Sequence, residues 1–359
     1  MRGRSRAVPH RAAAKRENGP ANACHGRTRH IQRRRLGAAM SLRDLAERAG
    51  VEFGACASIE DFEVDWYGDL LAREFTRVSV ENDLMWSRAR PGPDAFDFED
   101  ADAIVDFADR HGLSTSAHSL VWHQQNPDWL TGADWERDEL AEQLRSHVHT
   151  VTDRYDGRVD AWDVVNEAVA DDGTLRENRW LEHLGEEYIA DAFRWAAERT
   201  DATLLYNDYA LPYNEGKREG VYQLLRDLLD RGVPVDGVGI QLHCVWARPA
   251  PAAIRETIER FRELGLDVRV TELDVAFDAD DPPADLDAAH ADYYRQTVEA
   301  CLDAGVDHIT LWGATDRNSW ITKWRDLPEQ FTQRPMLFDE DGREKESYDA
   351  VASVLRGHA

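Results

Sequence analysis

Two strings in this chain carry a glutamate at the end of an apolar run: Trp162-Asp163-Val164-Val165-Asn166-Glu167 and Val270-Thr271-Glu272-Leu273-Asp274. Each reads as a strand, and they lie far enough apart for several elements to fall between them. A pair of carboxylates presented from strand ends is what cleavage of a glycosidic bond requires, one as acid/base and the other as nucleophile or base. One carboxyl must stay protonated near neutral pH to donate to the leaving oxygen; the other must stay ionised to attack the anomeric carbon. Two carboxylates set close together raise one pKa at the other's expense. A lone glutamate after a strand carries little meaning, so the residues that accompany the pair decide the reading.

Those companions are polar and aromatic. A third apolar run ends Gln241-Leu242-His243. Side chains alternate along a strand, so Glu272 and Asp274 share a face, as do Gln241 and His243. The expected arrangement has His243 bonded to an ionised Glu272, Asp274 holding the imidazole, Gln241 supporting Glu167, and Asn166 on a sugar hydroxyl beside the reacting carbon. Of the twelve tryptophans, Trp122, Trp312 and Trp320 fall at or just past predicted strand ends. An indole there stacks on the C–H face of a sugar ring while polar neighbours take its hydroxyls. Trp162 and Trp195 read as core. Glu81-Asn82, His118 and His123-Gln124-Gln125 are further polar candidates around the same mouth.

Residues from Met40 onward alternate short apolar strands with longer amphipathic stretches. The strands are predicted at Glu52–Ala57, Arg77–Val80, Ser114–Leu120, Ala161–Asn166, Thr203–Tyr206, Gly237–Leu242, Val268–Leu273 and His308–Trp312. Helices are predicted at Ala101–Arg110, Asp138–Tyr155, Glu186–Arg199, Glu215–Asp230, Pro251–Leu264, Ala288–Ala304 and Glu346–Leu355. Several end at a glycine (Gly112, Gly232, Gly265, Gly305), as helix C-termini prefer. Strands alternating with helices imply an α/β fold with a parallel sheet closed into a (β/α)8 TIM barrel, where chemistry sits at the strand ends. The alternative, an open doubly wound sheet, normally shows a Gly-rich phosphate turn after its first strand, and none appears.

Hydrophobic residues make up 42% of the 359, enough for a sizeable core, and no apolar run is long enough to span a membrane. The formal net charge of −26 is unevenly spread. Residues 1–39 hold eleven Lys/Arg and one acid, so they carry +10 and residues 40–359 carry −36. An acidic body repels nucleic acid and anionic membranes and suits a neutral substrate. It also points to adaptation to high salt, where bound cations screen the self-repulsion. The basic head lacks hydrophobic periodicity and reads as a disordered segment, with residues 40–359 as a single catalytic domain. Its Arg33-Arg34-Arg35 triplet is not followed by an apolar export region, so either Met40 is the true start or the head is irrelevant to the fold, and the cytoplasm is slightly favoured over secretion. Cys24, Cys56, Cys244 and Cys301 form no CxxC pair and read as free thiols. A monomer without metal or cofactor is expected.

At this point the residues resemble a known family. The strings Glu81-Asn-Asp-Leu-Met-Trp86, His118-Ser-Leu-Val-Trp-His123, Trp162-Asp-Val-Val-Asn-Glu167, Tyr206-Asn-Asp-Tyr209, Gly239-Ile-Gln-Leu-His243, Val270-Thr-Glu-Leu-Asp274 and Leu311-Trp-Gly313 through Ser319-Trp320 occur in order. Together they resemble glycoside hydrolase family 10, the endo-1,4-β-xylanases, over about residues 42–355. The resemblance implies a retaining double displacement on β-1,4-xylan, with Glu167 as acid/base and Glu272 as nucleophile. It puts Asn166, Gln241, His243 and Asp274 on supporting positions, and Glu81, Asn82, His118, Trp122, Gln125, Trp312 and Trp320 on sugar-binding ones. Retention implies carboxyl groups roughly 5–5.5 Å apart. One position departs: the family usually has lysine where Met85 stands. Methionine cannot donate to the second sugar on the non-reducing side, so the expectation is weaker binding there or compensation by an arginine such as Arg88.

Three rivals are weighed. A binding module would lose a catalytic glutamate, and neither is lost. A metal-dependent hydrolase would draw on His147-Val148-His149, but two histidines two apart on a predicted helix face different ways. A β-1,4-glucanase or broad β-glycosidase keeps the mechanism and changes the sugar.

Overall fold

The computed structural model describes residues 40–323, 327 and 329–359; the basic head and Cys24 lie outside them. Eight parallel strands carry the architecture: β1 Glu52–Ala57, β2 Arg77–Val80, β3 Ser114–Val121, β4 Ala161–Asn166, β5 Thr203–Tyr209, β6 Gly237–Gln241, β7 Asp267–Val275 and β8 His308–Leu311. Each pairs with its sequence neighbour, β1 also pairs with β8, and the β6–β7 pairing completes the (β/α)8 ring. A two-residue extension beyond β6, His243–Cys244, pairs with the end of β7.

Helices wrap the ring and cover it: α1 Leu42–Ala49, α2 Tyr67–Glu74, α3 Glu99–His111, α4 Arg137–Tyr155, α5 Glu187–Ala197, α6 Glu215–Asp230, α7 Pro251–Arg262, α8 Leu286–Asp303 and α9 Glu346–His358. Because helices cover the outside and side chains fill the inside, strands such as β2 and β4 are buried along their whole length. Their polar residues, Arg77 and Ser79 in β2 and Asp163 and Asn166 in β4, are therefore buried as well. Caps mark the helix starts where the sequence offers them: Ser41 forms a capping box with Asp44, and the side chains of Asn214 and Asp285 accept from the first turns of α6 and α8. Gly112, Gly232, Gly265 and Gly305 all take positive φ at helix ends.

Differences from the sequence reading are concentrated at the mouth. Strand β5 runs on through Asn207, Asp208 and Tyr209, and β7 through Asp274 and Val275. Reading by apolar content stops at the first polar residue, yet Asn207, Asp208 and Asp274 are fully buried and hydrogen-bonded. The eight-residue helices α1 and α2 escape the periodicity argument because each buries only about one turn's worth of apolar side chains. Trp162 is core, and Trp195 packs against the core half-buried. Cys56, Cys244 and Cys301 are buried free thiols. Among the described residues no helix is long and apolar enough to cross a membrane.

Candidate active site

Strand register brings the polar residues together. His243 lies opposite Asp274, and its Nδ1 is 2.9 Å from Asp274 Oδ2. Its Nε2 is 3.0 Å from Glu272 Oε2. A neutral imidazole has one donor nitrogen, so facing carboxylates on both sides requires the doubly protonated ring. Burial opposes that charge, but Asp274 and Glu272 outweigh it and lift the His243 pKa to about 10. His118 and Asp163 are opposite each other on β3 and β4, and His118 Nδ1 is 2.8 Å from Asp163 and 3.9 Å from Glu272.

Glu272 is thus set among cationic and donor groups. Asn207 Nδ2 donates to its Oε1 at 2.7 Å. Burial alone would raise the Glu272 pKa; the His243 hydrogen bond, the charges of His118 and His243, and the Asn207 donor hold it below the ordinary glutamate value.

Glu167 is treated in the opposite way. It follows β4 with φ +56°, its N–H donates to the Asn207 carbonyl at 2.9 Å, and its own carbonyl accepts from Arg176 Nε at 2.8 Å. These bonds fix the backbone in a left-handed turn that aims the side chain across the mouth. Burial, then the negative charges of Asp208 and Glu272, push its pKa up to about 7, against the pull of Lys217 and of a Trp122 hydrogen bond. Two carboxyls at one mouth are therefore held in different protonation states by different surroundings.

The amides form a floor beneath them. Gln241 Nε2 and Asn207 Nδ2 donate to Asn166 Oδ1 at 3.0 and 3.1 Å. Turning the Asn166 amide by half a turn instead lets it accept from Trp122 Nε1 at 3.2 Å and donate to the Asn207 carbonyl at 3.1 Å. Gln241 therefore meets Asn166, not Glu167 as its strand-end position suggested. The indoles stand over the histidines. Trp312 meets His118 and His243 edge-on at 5.2 and 6.5 Å, and Trp320 donates to Asp274 Oδ2 at 2.6 Å with its ring 5.1 Å from His243.

Glu81, Asn82 and Gln125 form a second network on the loops after β1 to β3. Ser58 Oγ donates to Glu81 at 3.1 Å, Asn82 donates to Ser58 Oγ at 3.0 Å, and Gln125 donates to Asn82 at 3.0 Å. Burial and the charge of Asp61 push the Glu81 pKa up to about 7, opposed by Lys323. Met85 is buried against Ser119. Arg88 does not turn toward this network: it pairs with Glu60 at 2.7 Å and Asp83 at 2.9 Å. The cation beside Glu81 is Lys323, whose Nζ is 3.1 Å from Asp61.

Asn207, Asp163, Asp208 and Lys217 are site residues that motif reading left without a role. Asn207 had one available signal: Gly239 lies opposite it on β6, and a Cβ there would sit 2.3 Å from Asn207 Oδ1. A glycine opposite a strand polar residue marks such a close approach. Lys217 and Asp208 are both fully buried, 2.9 Å apart, with the ammonium 3.1 Å from the centre of the Tyr209 ring.

For metal binding, His118, Asp163 and Glu272 bring three ligand-type atoms within 4.8 Å of one another. The bonds His118–Asp163 and Asn207–Glu272 already use atoms of this set. His147 lies elsewhere, in α4, stacked on Trp86 at 3.9 Å, while His149 is 3.1 Å from Glu198.

A closed parallel barrel, with one carboxyl kept low in pKa and another raised at its mouth under a cover of indoles, defines a barrel glycosidase. The profile of Glycosyl hydrolase family 10 matches residues 41–354. Endo-1,4-beta-xylanase B of Thermotoga neapolitana is 37% identical over 323 residues, covering 88% of this chain and 91% of the relative. A Beta-1,4-xylanase of Dictyoglomus thermophilum is also 37% identical, covering 81% and 85%. The crystal structure of xylanase 10B from Thermotoga petrophila RKU-1 in complex with xylobiose superposes with a TM-score of 0.85 at 36% identity, covering 89% of this chain and 98% of that one. The chain belongs to glycosyl hydrolase family 10.

Proposed function

We propose that this chain is an endo-1,4-β-xylanase cleaving internal β-1,4-xylosidic bonds of xylan or xylooligosaccharides with retention. The observation that carries the reading is the opposed setting of the two carboxyls: Glu272 below its ordinary pKa and Glu167 raised to about 7. Glu272 attacks the anomeric carbon while Glu167 gives its proton to the departing glycosidic oxygen. The sugar is then esterified to Glu272, and Glu167 is a carboxylate. Glu167 takes a proton from an incoming water, the water oxygen bonds to the anomeric carbon, and Glu272 leaves as a carboxylate. His243 keeps Glu272 ionised and correctly turned, Asp274 stabilises the imidazolium, Gln241 and Asn207 hold the Asn166 amide, and Asn166 presents it to the hydroxyl beside the reacting carbon. Glu81, Asn82, Gln125, His118, Trp122, Trp312 and Trp320 hold the sugars on either side.

The named activities of the relatives in Thermotoga and Dictyoglomus support the choice of a xylose polymer. Product analysis on xylan, carboxymethylcellulose and xylohexaose tests it. The expected result is xylooligosaccharide release with the newly formed anomer β; cleavage of the cellulose derivative in preference to xylan, or an initial α-anomer, overturns it.

Three finer readings go with this. Residues 40–359 form the catalytic domain, acting as a monomer. Residues 1–39 are dispensable for it. The acidic body, −36 over residues 40–359, is an adaptation to high salt.

A further inference from the structure

Past Glu167 the chain folds back on itself. Val169 pairs antiparallel with Leu175, Ala170 N–H donates to the Thr174 carbonyl at 2.8 Å, and Arg176 N–H donates to the Ala168 carbonyl at 2.7 Å. The tip of this hairpin is seated on the first turns of α6. A Cβ added to Gly173 would lie 2.5 Å from the Gly216 carbonyl oxygen, and one on Gly220 would lie closer still to the Gly173 carbonyl. Two backbones this close leave no room for side chains. Asn214 Nδ2 also donates to the Asp171 carbonyl at 2.9 Å. The hairpin is therefore anchored at its tip, and its return arm delivers Arg176 to the turn that carries Glu167.

There the guanidinium makes three hydrogen bonds. Nε donates to the Glu167 carbonyl at 2.8 Å, while Nη2 donates to the Val169 carbonyl at 3.2 Å and to the Tyr209 hydroxyl at 3.0 Å. Tyr209 gives its own hydrogen bond to Asp171 at 2.8 Å, and Tyr206 Oη accepts from Val169 N–H at 3.2 Å. With Asn207 on the Glu167 N–H, both backbone groups of Glu167 and both of Val169 are bound. A non-glycine residue at positive φ keeps that conformation only where its surroundings hold it. Arg176 supplies two of these four bonds, both to carbonyls. Glu272 is placed differently: it sits inside β7, and its hydrogen bonds go to His243 and Asn207.

We infer that Arg176 is a positioning residue for proton donation: by holding the turn after β4 it sets the Glu167 carboxyl at the departing oxygen, and it leaves the attack by Glu272 untouched. The inference rests on the xylanase reading and deepens it. Losing Arg176 harms a reaction that needs a proton on its leaving group and spares one that does not.

The test compares two aryl β-xylobiosides that share their sugars and differ in leaving group, in the full chain, in Arg176→Ala and in Arg176→Lys. Phenolate needs a proton as it departs; dinitrophenolate does not. The value of kcat/KM runs only as far as the glycosyl-enzyme, so the later work of Glu167 as base does not enter it. The ratio of kcat/KM on the phenyl to that on the dinitrophenyl glycoside is expected to fall about tenfold or more in Arg176→Ala. It is expected to fall less in Arg176→Lys, which keeps the charge and a donor for one carbonyl. An unchanged ratio in Arg176→Ala, whether both rates drop together or neither drops, overturns the inference and leaves the xylanase reading standing. If Arg176→Ala yields no folded chain, Arg176→Lys decides by the same ratio: a fall upholds the role and an unchanged value overturns it. An unsubstituted chain that cleaves neither glycoside takes down the xylanase reading itself.

Discussion

At the scale of residues, the chemistry is a matter of where two protons reside. Glu272 is ionised below its ordinary pKa, so activity rises with pH on the acid side earlier than a free glutamate would allow. In the proposed mechanism Glu167 must keep its proton to act as acid, and burial with its acidic neighbours pushes its pKa up to about 7. Activity is therefore present below about pH 7 and lost as the pH climbs through it. A kcat/KM profile on xylohexaose is expected to show that basic limb, and Glu272→Ala to lose at least about 10⁴-fold in turnover. A basic limb at pH 9 would mean that Glu167 is not the titrating acid. The glutamates, His243, Asp274, Trp122 and Trp312 were legible because each falls at or just past the end of an apolar run, whereas Trp320 lies beyond a polar stretch after the last strand. Asn207 was not, because it lies inside a strand whose polar end looks like a loop. Nor was the choice of cation beside Glu81: Arg88 is close in sequence, but Lys323 arrives from the far end of the chain, and only the closed ring brings them together.

At the scale of elements, register does most of the positioning. His118 faces Asp163 and His243 faces Asp274 as lateral strand partners, so these contacts follow from pairing. The ring itself could be read from eight apolar runs alternating with amphipathic ones, whereas the strand ends could not, since their polar residues are satisfied by neighbouring strands. The Lys217–Asp208 pair links α6 to the end of β5 behind Glu167. Lys217→Met leaves Asp208 buried without its cation, a loss of about 3–5 kcal/mol for a fully buried pair. It also removes a positive charge that lowers the Glu167 pKa. The expected outcome is a lower melting temperature together with a basic limb moved to higher pH. A melting temperature that drops while the pH profile stays fixed would assign Lys217 to stability alone.

At the scale of the whole molecule, the charge balance has an arrangement that composition alone does not show. Of the four lysines in the sequence, the three within the described residues each face a carboxylate that is itself buried: Lys217 on Asp208, Lys345 on Asp316 and Lys323 on Asp61. Lysine here neutralises buried carboxylates, and arginine supplies most of the surface cations, with Arg77 and Arg90 buried. A body this acidic repels itself in dilute buffer, and added salt screens that repulsion. The melting temperature is expected to rise between low and molar KCl, and a fall over that range would remove the case for salt adaptation. The same arrangement governs how the protein can be handled. Lys217 and Lys345 are shielded, while half of the Lys323 side chain is open to solvent. Succinimidyl esters and glutaraldehyde seek free amines; of the lysines within the described residues they would find Lys323, beside Asp61 and Glu81, and tethering through that side chain would crowd the mouth of the barrel.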